Sequence, residues 1–236
     1  MNRKRYDMPV ILHLETSTTV CSVCLSENGK VLYEQIDTRG QNHSELLGLF
    51  VQSTLKEASL QQKTIDAVAV SSGPGSYTGL RIGVSMAKGL CYGFSIPLIG
   101  INSLQLIAQE LLLEHTIPDN AILCPMIDAR RMEVYTALYS ASLETIKPTW
   151  AEIIEENSFA ETHHVPLYIF GNGAAKCLDI VQHPAIIYVP DIYPKASTMI
   201  ALAEKAFENK QFEDSAYFEP FYLKEFMIST PKNKFA

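Results

Sequence analysis

No apolar run in this chain approaches the roughly 20 residues needed to cross a bilayer. The start, MNRKRYDMPV, is basic but lacks the apolar stretch of roughly 7–15 residues that marks a secretory signal. A cytoplasmic protein with no membrane partner is therefore expected. Cysteine is sparse and odd in number, five in 236 residues, which offers no disulfide framework. Cys21 and Cys24 form a C-x-x-C, but the surrounding VCSVCL reads as a strand, where residues three apart face opposite ways. A buried, inert pair is expected there, not a metal or redox site. Cys91, Cys124 and Cys177 are scattered.

Positive charge is also short. Nineteen Lys and Arg stand against 26 Asp and Glu, a net charge of −7. A protein that grips nucleic acid alone usually neutralises several phosphates with clustered cations. The only basic clusters here are residues 2–5 and 232–234, so any nucleic-acid role calls for a basic partner. Neither G-x-x-x-x-G-K-[ST] nor G-x-G-x-x-G nor H-E-x-x-H occurs, so the chain carries none of the commonest phosphate-loop or zinc-hydrolase signatures.

What is present is a globular composition, 47% apolar and 19% charged, long enough for two lobes with real cores. PVILHLETS (9–17), TVCSVCLS and GKVLYEQID read as three strands, with the turn ENG (27–29) between the last two. A helix follows over 44–58, with Leu46, Leu47, Phe50, Val51, Leu55 and Ala58 on one face and Ser44 as a candidate cap. Then come a strand (65–72), a helix (77–94), a strand (96–101) and a helix capped by Asn102 or Ser103. The order is βββαβαβα. It begins again at AILCPMIDA (121–129): MEVYTALYS and ASLETIKP read as strands, TWAEIIEENSFAE (149–161) as a helix and VPLYIFGNG as a strand. AAKCLDIVQ reads as a short helix, AIIYV as a strand and ASTMIALAEKAFEN as a helix. The fold class is α/β with duplicated βββαβαβα lobes, and alternation of this kind requires a mainly parallel, helix-covered sheet. The expected division is a first lobe at 1–104, a second at 105–215, and a terminal segment at 216–236 that returns to the first lobe or remains a tail.

One stretch dominates the functional reading, SSGPGSYTGLRIGVSMAKGL (71–90). Gly73 and Gly75 permit a tight turn before a helix that Ser76 or Thr78 can cap, and a helix N-terminus attracts anions. No lysine is placed to reach a phosphate, however. Gly75, Gly79, Gly83 and Ala87 recur every four residues and leave one helical face nearly bare. Interior glycines destabilise a helix by about 0.5–1 kcal/mol each, so something close by must offset them. Close packing within the chain and a subunit interface both meet that need, and the spacing alone leaves the two open.

ILHLETST, HSELL, the glycine stretch, IPLIGINSL, IDARRMEVY and the late PFYLK together resemble the bacterial TsaB (YeaZ) family, within the actin/sugar-kinase/heat-shock ATPase superfamily. The resemblance implies a part in making threonylcarbamoyladenosine, the modified base beside the anticodon of tRNA. There a threonylcarbamoyl-adenylate donates its acyl group to the N6 amine of adenosine. It implies pairing with a TsaD-like transferase, which holds a metal, and assembly with a TsaE-like ATPase; tRNA is reached only through that complex. It places the partner interface on the two first-lobe helices, at His43, Leu47, Phe50, Val51, Gly75, Tyr77, Gly79, Gly83 and Ala87, with self-association through the same face when alone. On this reading Gly79→Arg or Gly83→Arg abolishes pairing and leaves the fold soluble. TsaD-like proteins carry N-H-L-E-G-H, whose histidines bind the metal. The corresponding positions in INSLQLIAQ are Ser103 and Ile107; isoleucine cannot ligate and serine is a poor replacement for imidazole. The chain therefore resembles the non-catalytic partner, with no catalytic or metal-ligating residue of its own and no required cofactor.

The superfamily likeness also implies a nucleotide cleft. Glu15, Thr16 and Ser17 end the first strand, Asp128 and Arg130 occupy the equivalent turn in the second lobe, and Gly171 and Gly173 lie where adenosine-binding glycines occur. Glu15 and Asp128 could orient water and hold magnesium, but Arg130 and Arg131 beside Asp128 equally suggest an ion-paired turn. Weak ATP or ADP binding is the expectation, and an independent ATPase or small-molecule kinase is the rival reading. His43 reads as a helix-start or interface residue, and His163–His164 as surface loop.

Overall fold

The computed structural model describes residues 9–40 and 42–223. The basic clusters at 2–5 and 232–234, and the last residue of PFYLK, lie outside the described residues. Two five-stranded sheets share one order. In the first, β1 (Val10–Glu15), β2 (Cys21–Glu27), β3 (Lys30–Asp37), β4 (Ala67–Gly73) and β5 (Leu98–Asn102) are arranged β3-β2-β1-β4-β5. In the second, β6 (Ile122–Asp128), β7 (Glu133–Ser140), β8 (Thr145–Ile153), β9 (Leu167–Phe170) and β10 (Ile186–Val189) read β8-β7-β6-β9-β10. Each has three antiparallel strands followed by two that run parallel to the central one. The repeated α/β strand order expected of the two lobes is thus present in both.

Side-chain alternation decides what covers the first sheet. Leu12, Leu14, Val68 and Val70 point to one face, where they pack on Leu47, Val51 and Ala58 of α1 (His43–Leu60) and Val84, Ala87 and Cys91 of α2 (Tyr77–Phe94). Ile11, Ala67, Ala69, Ile99 and Ile101 point to the other, against Leu106 of α3 (Ser103–Glu114) and Met199, Ala203 and Phe207 at α4 (Ile200–Glu208). A Cys21 and Cys24 pair on one strand accordingly splits between these faces. All five thiols are buried, and burial pushes Cys21 up to about 12.

α3 is apolar nearly all round because it lies between the lobes. Leu104, Ile107, Ala108 and Leu111 meet Leu123, Ile127, Tyr139 and Phe170 of the second sheet. Asn102 caps it, its Oδ1 accepting the N–H groups of Leu104 (2.9 Å) and Gln105 (3.1 Å). The cap expected of Ser44 is absent: α1 starts at His43 after Asn42, with no side-chain cap.

The second lobe departs from its expected helices. Residues 149–153 are strand, the end of β8, because the outer edge of β7 takes a pairing partner along its length and the β-forming Thr149 and Trp150 suit that edge. AAKCLDIVQ contains only the single 3-10 turn Ala175–Cys177. The helix expected to complete this lobe, α4, covers the first sheet instead, which moves it across the boundary drawn at 105–215. From α4 the chain runs as a strap along the first lobe: Glu213 N–H donates to Leu98 O (2.9 Å) and Phe221 N–H to Ser72 O (2.7 Å), while Lys88 Nζ holds the carbonyls of Ala216 and Phe218.

Candidate functional site

The glycine stripe of α2 does serve a neighbouring backbone, and that backbone is the chain's own. The turn after β1 lies directly on it. A Cβ on Gly75 would collide with Ser17 O, one on Gly79 with Thr16 O, and one on Gly83 with Thr16 Oγ1. Two hydrogen bonds fasten the approach: Ser76 N–H donates to Ser17 O (2.7 Å) and Thr16 Oγ1–H to Gly79 O (2.8 Å). Ser76 also caps α2, its Oγ accepting Gly79 N–H at 3.2 Å. The expectation that Gly75, Gly79, Gly83 and Ala87 receive a foreign subunit is therefore corrected, since Gly79, Gly83 and Ala87 are buried and the row is filled from within. Gly79→Arg and Gly83→Arg strike the core, not an interface. Leu47 and Val51 are corrected in the same way, being core residues under α1. His43 ties α1 to the β1–β2 turn through Nε2 and Val20 O (3.1 Å). Phe50 is half-buried against the core, and the Tyr77 ring packs tilted at 39° against Tyr222 of the strap, 5.0 Å between centroids.

The same contact closes the nucleotide turn. Glu15, Thr16 and Ser17 are fully buried. Glu15 Oε1 accepts both Ser17 N–H (2.5 Å) and Ser17 Oγ–H (2.6 Å), while Oε2 has no hydrogen-bond partner among the described residues. Burial raises its carboxyl to about 7, and the Ser17 bonds hold it back only in part. Two positions along β1, His13 is equally buried, and desolvation lowers it to about 3.

The equivalent turn after β6 is closed by side chains. Lys176 Nζ meets Asp128 Oδ1 and also donates to Arg131 O (2.9 Å) and Glu133 O (2.6 Å). The ion-pair partner of Asp128 is Lys176, not either arginine; Arg130 contributes its backbone N–H (3.0 Å). Gly171 and Gly173 pack on β6, with a Cβ on Gly171 standing 2.5 Å from Met126 O and one on Gly173 2.9 Å from Ile127 C. These residues do not form an open magnesium-nucleotide site: Glu15, Thr16 and Ser17 are buried beneath α2, Asp128 is paired with Lys176, and Gly171 and Gly173 pack on β6. Nor do the positions of the N-H-L-E-G-H histidines fit a metal. Ser103 Oγ accepts Gly73 N–H (3.1 Å) and Ile107 sits in the interlobe core.

What remains open is the opposite side of the two helices. Leu49 and Leu60 of α1 are 60% and 69% exposed, and Tyr92 and Phe94 of α2 are 87% and 49% exposed. Gly48, Gly89 and Gly93 have nothing within 4 Å of where a Cβ would stand. α2 thus carries a second small-residue row, Ser85–Gly89–Gly93, with the same spacing of four as the buried one. That row was legible in the sequence; which of the two rows faces inward was not.

A family model described as TsaD: tRNA N6-adenosine threonylcarbamoyltransferase matches residues 31–227. A tRNA threonylcarbamoyladenosine biosynthesis protein TsaB of Haemophilus influenzae is 28% identical over 91% of this chain and 93% of its own length. One from Bacillus subtilis is 33% identical over 62% of this chain and 66% of its own length. The chain belongs to the TsaB/YeaZ branch of the TsaD family. YeaZ from Pseudomonas aeruginosa superposes with a TM-score of 0.78 at 25% identity, covering 92% of this chain and all of that one. A tRNA N6-adenosine threonylcarbamoyltransferase of Thermodesulfovibrio yellowstonii is 28% identical over 53% of this chain and 42% of its own length.

Proposed function

We propose that the chain is a non-catalytic subunit of tRNA threonylcarbamoyladenosine synthesis, pairing with a TsaD-like transferase through the outer sides of α1 and α2. The names of its relatives tie the family to that modification. One observation carries the rest: two adjacent helices turn large apolar side chains and bare glycines outward, while Glu15 is buried and Asp128 is ion-paired to Lys176. Apolar patches of this kind mark interaction sites, and glycine allows a partner helix to approach closely. When alone, the protein self-associates through the same face. A TsaE-like ATPase completes the assembly, and tRNA is met through the complex. No cofactor is needed on this chain, and any ATP or ADP binding is weak.

The test pairs Leu49→Asp with Tyr92→Asp, both exposed positions, and measures complex formation with a TsaD-like subunit by gel filtration and threonylcarbamoyl transfer to tRNA. Pairing and transfer should both be lost with the circular dichroism spectrum unchanged. A normal complex from the double variant sinks the proposal. The rival, an ATPase working in its own cleft, would be favoured by phosphate release without partners that disappears in Glu15→Gln or Asp128→Asn.

A further inference from the structure

The C-terminal strap does more than cover the first lobe. Where it passes α2 it leaves a cavity of about 360 Å³ lined by Tyr77, Arg81, Ser85 and Lys88 on the helix and Phe218 and Tyr222 on the strap, with Glu219 at its side. The cavity borders the open side of α2, for Arg81 and Ser85 precede Gly89 and Gly93 at helical spacing and both are exposed. The Arg81 guanidinium lies over the Tyr77 ring, 5.4 Å from its centroid, and its Nη1 donates to Tyr77 Oη at 3.2 Å. Lys88 spends two of its N–H donors on the strap carbonyls of Ala216 (3.1 Å) and Phe218 (3.0 Å). Among the described residues no carboxylate stands within ion-pair distance of either cation, whereas Lys63, Lys147, Lys176 and Lys195 all have one. Among the described residues that line it, two cations face one glutamate, which makes this a locally positive recess on a chain of net charge −7.

We propose that this recess seats a carboxylate side chain of the partner subunit, received by Arg81 with the Tyr77–Tyr222 pair as its wall. The proposal rests on the reading of α1 and α2 as the partner face, and adds a charged, orienting contact at one end of an otherwise apolar surface. The guanidinium is well suited because it offers a planar pair of donors to a carboxylate. Its stacking on Tyr77 holds it in place before the partner arrives. Such a contact governs orientation and salt dependence as well as affinity. The strap becomes part of the binding surface, since Phe218 and Tyr222 form half of the recess.

The experiment is calorimetric titration of the full chain with a TsaD-like subunit at low and high salt, for wild type, Arg81→Glu, Ser85→Asp and Leu49→Asp. Both charge variants should raise Kd about tenfold at low salt and markedly less at high salt, with unchanged thermal unfolding. Ser85→Asp does not touch the Arg81–Tyr77 stack and places the competing carboxylate in the recess itself, so it guards against a local rearrangement in Arg81→Glu. If Leu49→Asp abolishes binding while both charge variants stay within twofold of wild type, the recess proposal is overturned and the partner face stands. If wild type fails to bind, or Leu49→Asp binds normally, the partner face and the recess fall together.

Discussion

The two lobes repeat one strand order but close their equivalent turns in different ways. After β1 the turn is sealed by backbone: Thr16 and Ser17 lie against helix α2 at positions with no side chain. After β6 the turn is sealed by one long side chain, Lys176, reaching Asp128 and two carbonyls. The first closure demands a full helix held at a fixed distance, and the first lobe keeps α1 and α2 at eighteen residues each. The second demands only a lysine on a single 3-10 turn, and the second lobe has no α-helix of its own among the described residues apart from the shared α3. The difference teaches where the fold retains long helices: where one side is a backbone contact and the other side is left for a partner.

The sharpest way to break this comparison is Gly79→Ala. Its methyl would collide with Thr16 O, and a well-packed backbone contact cannot yield cheaply, so urea denaturation should show a loss of about 3 kcal/mol or more. Gly89→Ala, on the open row of the same helix, is the internal control: it should gain up to about 1 kcal/mol from helix propensity. Equal effects at the two positions would show that the two rows of α2 are not different.

A comparable effect is expected from the buried acid of the first turn, read through pH. Glu15 titrates at about 7 when folded against the ordinary 4.5, so the folded state holds its proton longer than the unfolded chain. The stabilisation is complete below pH 4.5 and is lost as pH rises through 7, a decline of order 3 kcal/mol. His13, lowered from 6.5 to about 3, acts with the opposite sign: its contribution is present above pH 6.5 and is lost as pH falls towards 3. The two slopes oppose each other between pH 4.5 and 6.5, so the isolating quantity is wild type minus Glu15→Gln, followed by denaturation from pH 4.5 to 8. A flat difference across that range would remove Glu15 as the source.

The smallest effect belongs to the second lobe. Lys176→Met should lower stability by about 1 kcal/mol, because its partners are half open to solvent and water can take over part of what the ammonium does. A loss as large as that of Gly79→Ala would erase the contrast between the two closures.

Much of the architecture was readable in the residues. ENG between two alternating segments gives the β2–β3 hairpin, with Asn28 and Gly29 at positive φ, and Asn102 sits where it caps α3. The run 149–161 was misleading because a threonine before acidic residues looks like a helix start, while the pairing needs of β7 lie far away in sequence. The site was less legible still. A row of glycines states that a backbone comes near and not whose backbone it is, so the spacing left the chain's own packing and a partner both open, and Gly75, Gly79, Gly83 and Ala87 face in.

Hydrophobic alternation, turn chemistry and helical spacing act between near neighbours, and they sufficed for the repeated strand order and for α1 to α4, though not for the strand at 149–153; the want of imidazole at Ser103 and Ile107 is what the family resemblance adds. Which side of α2 meets Thr16, which sheet α4 covers and how Glu15 comes to lose one hydrogen-bond partner are contacts between segments far apart in the chain. Those depend on how the sheet faces are filled, and only the folded packing decided them.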